Sequence, residues 1–167
     1  MLKVVVRKEA RGILQEVNEM ETEQIISLID KIDFFLEFTQ EEKKVVAGLK
    51  SNIQKFQPNE QIIKQAEADF SVFIILRGSV AITKNEHPDL VLNRLKPGDV
   101  FGEMSLLAKR LRSTNVIAEG ETIALKIDGE YFEKLDLAVQ NKFKDKFIEI
   151  LIKRLDDMNE SISKLLR

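Results

Sequence analysis

The pattern of hydrophobic and polar residues changes twice along the chain, from a helical pattern to a strand pattern and back. In residues 10–32, apolar side chains recur every three or four positions, which places them on one face of an amphipathic helix. Residues 34–38 form an aromatic cluster that another element must cover. Thr39 with Glu42 three positions later is a capping-box pattern, which predicts a second helix to about Lys50. The N-terminal third is therefore predicted to be helical.

From residue 51 onward the apolar residues form short runs, which are separated by turn residues such as Gly78 and Pro97. In residues 79–83 and 122–127 large and small side chains alternate, which suits strands with one face turned inward. Seven runs are predicted as strands: residues 53–56, 61–64, 72–77, 79–83, 90–95, 112–118 and 122–127. About eight short strands at this spacing predict a mainly β fold, a jelly-roll barrel with N-terminal and C-terminal helices.

After Asp128 the helical pattern returns, and Phe143 and Phe147 lie on one stripe. Farther on, apolar residues form a heptad seam: Ile148, Leu151, Leu155, Met158, Ile162 and Leu165. The seam covers only about three heptads, so the last helix either folds back on the barrel or packs against a partner helix, which we favour slightly. The predicted organisation is an N-terminal helical segment (1–50), a barrel (51–128) and C-terminal lid and dimerisation helices (129–167).

The composition excludes several kinds of chemistry. The chain of 167 residues has no cysteine and one histidine, His87, in a polar loop, which excludes thiolate metal sites, histidine-rich metal sites and an imidazole-based catalytic triad. The 28 acidic and 26 basic residues nearly balance, which argues against nucleic-acid binding through a broad basic surface. Because the sequence has neither a signal-peptide pattern nor an apolar run of membrane-spanning length, the chain is predicted to be cytoplasmic.

Residues 101–118, FGEMSLLAKRLRSTNVIA, concentrate the chemistry that remains. Glu103 and Arg112 stand there among small and apolar residues, after the turn signal Pro97-Gly98-Asp99. Because burial of an unpaired charge is costly, each of the two needs a partner. That partner is either the other residue or a ligand.

This stretch resembles the phosphate-binding cassette of the cyclic nucleotide-binding domain family, which includes bacterial catabolite activator proteins and protein kinase A regulatory subunits. The family pattern is F-G-E, an aliphatic residue, Ala or Ser, L, an aliphatic residue, three free positions, then P-R-[AST]-A-x-[VI], and it matches from Phe101 to Val116. FIILRGSV at residues 73–80 and LKPGDVFGE at residues 95–103 extend the resemblance, which covers about residues 33–150. Leu111 and Thr114 depart from it, because the family usually has proline and alanine there.

The resemblance implies a binding module and not an enzyme, with cAMP or cGMP as its regulatory ligand and no metal. Arg112 would donate charge-assisted hydrogen bonds to the cyclic phosphate, and ionised Glu103, which only accepts, would bind the ribose 2′-hydroxyl. Thr114 either donates a hydrogen bond or crowds the ligand. The implied ligand-binding residues are Gly102, Glu103, Met104, Ser105, Arg112, Ser113 and Thr114.

The resemblance also implies how the signal leaves the domain. Phe143 and Phe147 would cover the purine, and the cluster at residues 34–38 would relay a shift of the flanking helices. The output would pass to an unidentified effector protein or through a homodimer, with no nucleic acid and no membrane insertion involved. The alternative is a degenerate domain that binds no ligand, in which Glu103 and Arg112 pair with each other and the chain is a dimeric interaction scaffold.

Overall fold

Two antiparallel four-stranded sheets form the centre of the fold in the computed structural model, which describes residues 22–48 and 53–166. The strands are β1 Ile53–Phe56, β2 Gln61–Ile63, β3 Val72–Arg77, β4 Val80–Thr83, β5 Asn93–Leu95, β6 Val100–Phe101, β7 Asn115–Ala118 and β8 Thr122–Ile127. The helices are α1 Thr22–Ile29, a 3₁₀ helix Asp33–Phe35, α2 Gln40–Ala47, α3 Glu103–Ala108, α4 Gly129–Phe132 and α5 Leu137–Leu165.

The strand order is β1-β8-β3-β6 in one sheet and β2-β7-β4-β5 in the other, so consecutive strands often cross from sheet to sheet. Between the sheets lies an apolar cluster in which the rings of Phe73 and Phe101 stack 5.0 Å apart. Eight strands with flanking helices confirm the predicted mainly β jelly-roll architecture. Strand β6 was not predicted, because its two residues are too few to show an alternating pattern.

The helices form a second core with the first sheet. Phe34, Phe35 and Phe38 are buried there against the ring of Phe143, which also contacts Phe132. The capping box is confirmed, since Thr39 Oγ1 accepts from the Glu42 amide and the Glu42 carboxylate accepts from the Thr39 amide. Of the helix predicted over residues 10–32, residues 10–21 lie outside the described residues, and the described part is helical from Thr22 to Ile29.

Phe143 and Phe147 belong to this second core and not to a ligand lid. Both are fully buried, with the Phe143 ring 5.0 Å from that of Phe38 and the Phe147 ring 5.9 Å from that of Phe34. The expectation that they cover a purine is therefore wrong. The physical reason is that the aromatic cluster at residues 34–38 offers these rings a large apolar surface, which removes them from water.

Helix α5 is 29 residues long, and it packs on the domain only as far as Arg154. Val139, Phe143 and Phe147 are buried, whereas Leu155 and Ile162 are about half exposed. The interpretation that this helix folds back on the barrel is therefore wrong for residues 155–166, which are exposed. None of the helices within the described ranges is long and apolar enough to cross a membrane.

Candidate functional site

The site begins at Gly102, where the chain turns from β6 into helix α3. Gly102 has a φ of +83°, a left-handed conformation that residues with a side chain rarely adopt. A Cβ atom there would lie 2.6 Å from the Ser71 carbonyl oxygen and 2.7 Å from Arg112 Nη1. Glycine is therefore needed because the backbone passes directly against the guanidinium.

Arg112 is buried, with 4% of its surface exposed, and three acceptors hold its guanidinium. Nη1 donates to the Gly102 carbonyl at 2.9 Å, and Nη2 donates to the Ser71 carbonyl at 2.6 Å and to Asp69 Oδ2 at 2.8 Å. The third nitrogen, Nε, is also buried but has no hydrogen-bond partner within residues 22–48 and 53–166. The arginine is thus fixed in place, and of its three guanidinium nitrogens Nε alone has no acceptor within the described residues.

Asp69 is the acid that pairs with Arg112, and sequence reasoning missed it. Its Oδ1 accepts from the Ser71 amide at 2.9 Å and from the Ser71 hydroxyl at 2.7 Å, which leaves Oδ2 for Arg112. Burial alone would raise the pKa of Asp69, but the hydrogen bonds from Arg112 and Ser71 outweigh it and lower the pKa to about 2. An aspartate two residues before a serine, at the entry to a strand, is typical of an Asx turn. The sequence could therefore have predicted the contact of Asp69 with Ser71, but not the ion pair with Arg112.

Glu103 is 2% exposed and pairs with Arg154 of helix α5. Glu103 Oε1 accepts from Arg154 Nη1 at 2.7 Å, and Arg154 Nη2 donates to the Val100 carbonyl oxygen. Burial raises the pKa of Glu103 above its ordinary value, while the guanidinium groups of Arg154 and Arg112 oppose this shift. Glu103 and Arg112 therefore have different partners, and they do not neutralise each other by direct pairing.

Arg154 was also missed by sequence reasoning, although the sequence carries a signal for it. It follows Phe147 by seven positions, so it lies on the buried stripe of α5 and not on its solvent face. An arginine on a buried stripe needs an acid or carbonyl partner. The sequence alone does not identify that partner, since Glu103 is 51 residues away along the chain.

The predicted site residues come together around one cavity with a volume of about 130 Å³. Ile63, Ile82 and Val116 supply apolar walls, and Arg154 adds a second cation. Thr114 is half-buried and Ser113 exposed at this cavity. All seven predicted residues line it: Gly102, Glu103, Met104, Ser105, Arg112, Ser113 and Thr114. The structure thus brings them together, while their binding roles stay a prediction.

The site can bind a small anion that also carries a hydroxyl group. Buried Arg112 offers a positive charge with a free Nε donor, and Glu103 offers carboxylate oxygen atoms that accept hydrogen bonds. Among the residues that the structure describes, no group of three or more His, Asp or Glu side chains is placed to hold a metal ion.

This fold and this site define the cyclic nucleotide-binding domain class. The sequence matches the family of that name, the cyclic nucleotide-binding domain, over residues 53–137, about half of the chain. The chain belongs to this family, as its cassette predicted. The family is one of regulatory modules and not of catalytic domains.

Proteins similar to this chain include a kinase and two solved structures. The chain is 28% identical over 136 residues to the cGMP-dependent protein kinase egl-4 of Caenorhabditis briggsae, covering 79% of this chain and only 18% of that kinase. A cyclic nucleotide-binding domain from Methylobacillus flagellatus superimposes with a TM-score of 0.70 at 21% identity, covering 86% of this chain and 83% of that one. The regulatory domain of Toxoplasma gondii protein kinase A with cAMP gives a TM-score of 0.62 at 24% identity, covering 77% and 50%.

Proposed function

We propose that this chain is a cyclic nucleotide sensor module in which Arg112 binds the cyclic phosphate and Glu103 binds the ribose 2′-hydroxyl. One observation carries the proposal, namely the buried Nε of Arg112, which has no acceptor within the described part of the chain. A buried donor left unsatisfied costs about 1–3 kcal/mol. A phosphate oxygen would satisfy this donor and neutralise the guanidinium.

The start of helix α3 also suits a phosphate group. We call this turn, together with Arg112, the phosphate subsite. The N-cap residue of α3, Gly102, has no side chain to cap the first-turn amides, which include those of Met104 and Ser105. Free amides at the start of a helix favour an anion. The phosphate would therefore receive hydrogen bonds from Arg112 Nε and from this turn.

Glu103 has two carboxylate oxygens, and one of them, Oε1, already accepts from Arg154. We assign the other oxygen, Oε2, to the 2′-hydroxyl. The cavity of about 130 Å³ is smaller than a typical ligand pocket of ~300 Å³ or more. The ribose phosphate would fill it, and the purine would lie at its mouth beside Ile82 and Thr114.

Arg154 gives the sensor a route from the pocket to helix α5. This residue holds Glu103 through Nη1 and the Val100 carbonyl through Nη2, and it lies on the helix that carries the exposed seam. A ligand that shares Glu103 with Arg154 would change the balance of contacts that holds α5. A shift of this helix then follows if the ligand binds one helix position better than the other.

The proposed output surface is the heptad seam, which would pair with the seam of a second copy. Its members are half-exposed or more, apart from the half-buried Leu151. The flanking heptad positions are Phe147, Ile152, Arg154, Ser161, Asn159 and Leu166. The only charge among them is that of Arg154, which Glu103 already neutralises. Two copies in parallel would therefore meet no repulsion between like charges along the seam.

A thermal-shift and calorimetry panel tests the proposed function. At a concentration about a hundred times Kd, cAMP or cGMP is expected to raise the Tm by roughly 5–10 °C, because only the folded state binds the ligand. Linear 5′-AMP and 5′-GMP serve as controls, since their phosphate is not a cyclic diester. If neither cyclic nucleotide shifts the Tm or releases heat, the sensor proposal fails and the ligand-free scaffold becomes the better account.

Dimer formation is expected to depend on Leu155, a half-exposed residue at the middle of the seam. Leu155→Glu would place two like charges in an apolar interface, so the variant should be monomeric in light scattering where the parent chain is dimeric. The control is Ser163→Glu, which adds the same charge on an exposed position off the seam. A cyclic nucleotide should change the dimer dissociation constant if pocket and seam are coupled. A monomeric parent chain would contradict the seam assignment.

A further inference from the structure

A network of amide side chains lies behind the phosphate subsite, at the start of strand β7. Its centre is Asn115, which is 6% exposed. Asn115 Oδ1 accepts from the Gln65 backbone amide at 2.8 Å and from Gln61 Nε2 at 3.0 Å, and its Nδ2 donates to Asn85 Oδ1 at 2.8 Å. One side chain therefore joins strand β2, the loop that follows it and the turn after β4.

The loop that Asn115 holds is the loop that carries Asp69. Two backbone hydrogen bonds tie it to the cassette, from the Ala66 amide to the Arg112 carbonyl at 2.8 Å and from the Arg112 amide to the Glu67 carbonyl at 3.0 Å. Ala66 has a φ of +71°, which is strained for a residue with a side chain. Such a conformation persists only where its surroundings hold it, and the Gln65 amide next to it is held by Asn115.

We infer that Asn115 is a positioning residue of the phosphate subsite, which fixes the loop at residues 64–69 so that Asp69 meets Arg112. Its own side chain would not contact the ligand. The inference deepens the proposed function and rests on it for its effect on binding. Its effect on Asp69 does not depend on any ligand.

The three hydrogen bonds of Asn115 explain why an amide side chain suits this position. The Gln65 amide and the Gln61 side chain need an acceptor, while Asn85 Oδ1 needs a donor, and asparagine supplies both from one short side chain. Valine at this position would suit the strand but would leave the Gln65 amide without its acceptor. The loop would then keep its two backbone hydrogen bonds to Arg112 but lose its hold at Gln65, and Asp69 would no longer be fixed against the guanidinium.

The first test is a carboxyl NMR titration of Asp69 in the chain without ligand. In Asn115→Val the pKa of Asp69 is expected to rise from about 2 towards its ordinary value of 3.8, because Arg112, which lowers it, would no longer be held beside it. Asn115→Thr is the second variant if Asn115→Val does not fold. The control is Asn85→Ala, which removes a hydrogen bond from the same network without touching the loop backbone. An unchanged pKa of Asp69 in a folded Asn115 variant would overturn the inference.

The second test is a double-mutant cycle on cyclic nucleotide affinity, with Asn115→Val and Asp69→Asn. If Asn115 acts through Asp69, Asn115→Val alone should weaken binding by about tenfold but should change it less than about twofold in the Asp69→Asn background. Additive effects would contradict the inference. If the parent chain binds neither cAMP nor cGMP, the proposed function fails, and the titration of Asp69 still decides the role of Asn115.

Discussion

Arg112→Ala is expected to weaken cyclic nucleotide binding by a factor between about 30 and several thousand, equivalent to about 2–5 kcal/mol. Arg112 is 4% exposed, so water cannot replace its guanidinium as a partner for the phosphate. The variant removes the free Nε donor and the positive charge at the same time. Isothermal calorimetry with cAMP and cGMP, well below the Tm of the variant, measures the loss directly.

The loss of stability in this variant needs to be separated from the loss of affinity. Arg112 also donates to the Ser71 and Gly102 carbonyls, so its removal takes a hydrogen bond from each of them and lowers the Tm. Arg112→Lys keeps the charge but cannot reproduce the planar fork, and should recover only part of the affinity. Arg110→Ala is the matched control, because Arg110 is exposed and, within residues 22–48 and 53–166, its side chain donates a single hydrogen bond, to Met104 Sδ at 3.6 Å. Binding by Arg112→Ala at the affinity of the parent chain would refute the phosphate assignment.

Glu103 and Arg112 each connect the cavity to a distant part of the fold. Each charge is held by a residue from another element, Arg154 of α5 and Asp69 of the loop after β2. The pair in the cassette is thereby kept apart, and both charges stay available at the cavity wall. In the proposed sensor, the same partners connect the pocket to helix α5 and to the loop after β2. A ligand sensor needs such connections, whereas a buried ion pair within the cassette would contribute little stability of its own.

The strands and the capping box were predictable because their signals are local. Alternation in residues 122–127 and the spacing of Thr39 and Glu42 depend only on neighbouring residues. Strand β7 is shorter than the predicted run 112–118, because Arg112 to Thr114 leave the sheet geometry to line the cavity. The local sequence pattern does not reveal that these three residues leave the strand, because the reason is their place at the cavity and not their strand propensity.

The partners of the charged residues were not predictable, because they are distant in sequence. Asp69 is 43 residues from Arg112, and Arg154 is 51 residues from Glu103. Periodicity likewise placed Phe143 and Phe147 on one stripe but did not reveal which surface that stripe meets. The aromatic cluster at residues 34–38 and this stripe each needed a cover, and the structure shows that they cover each other. Two unpartnered apolar surfaces in a sequence are therefore best considered as a pair before either is assigned to a ligand.

Gly102→Ala is expected to destabilise the domain by about 2–4 kcal/mol and to abolish cyclic nucleotide binding. The alanine Cβ would lie 2.6 Å from a backbone oxygen, that of Ser71, which cannot rotate away as a side chain would. It would also press on Arg112 Nη1 at 2.7 Å, and the φ of +83° adds backbone strain. Relief of the clash requires β6 to move away from β3 or the guanidinium to leave its acceptors. Urea denaturation followed by circular dichroism measures the first effect, and calorimetry measures the second.

Gly120→Ala is the control for this substitution, because it makes the same chemical change at another turn of the same domain. A Cβ at Gly120 would meet no atom within 4 Å, so its effect on the free energy of unfolding should stay below about 1 kcal/mol. The contrast between the two glycines isolates the close approach at Gly102 from the general loss of glycine flexibility. If Gly102→Ala is as stable as Gly120→Ala and binds cyclic nucleotide normally, then the guanidinium does not need this backbone approach, and the geometry assigned to the phosphate subsite is wrong.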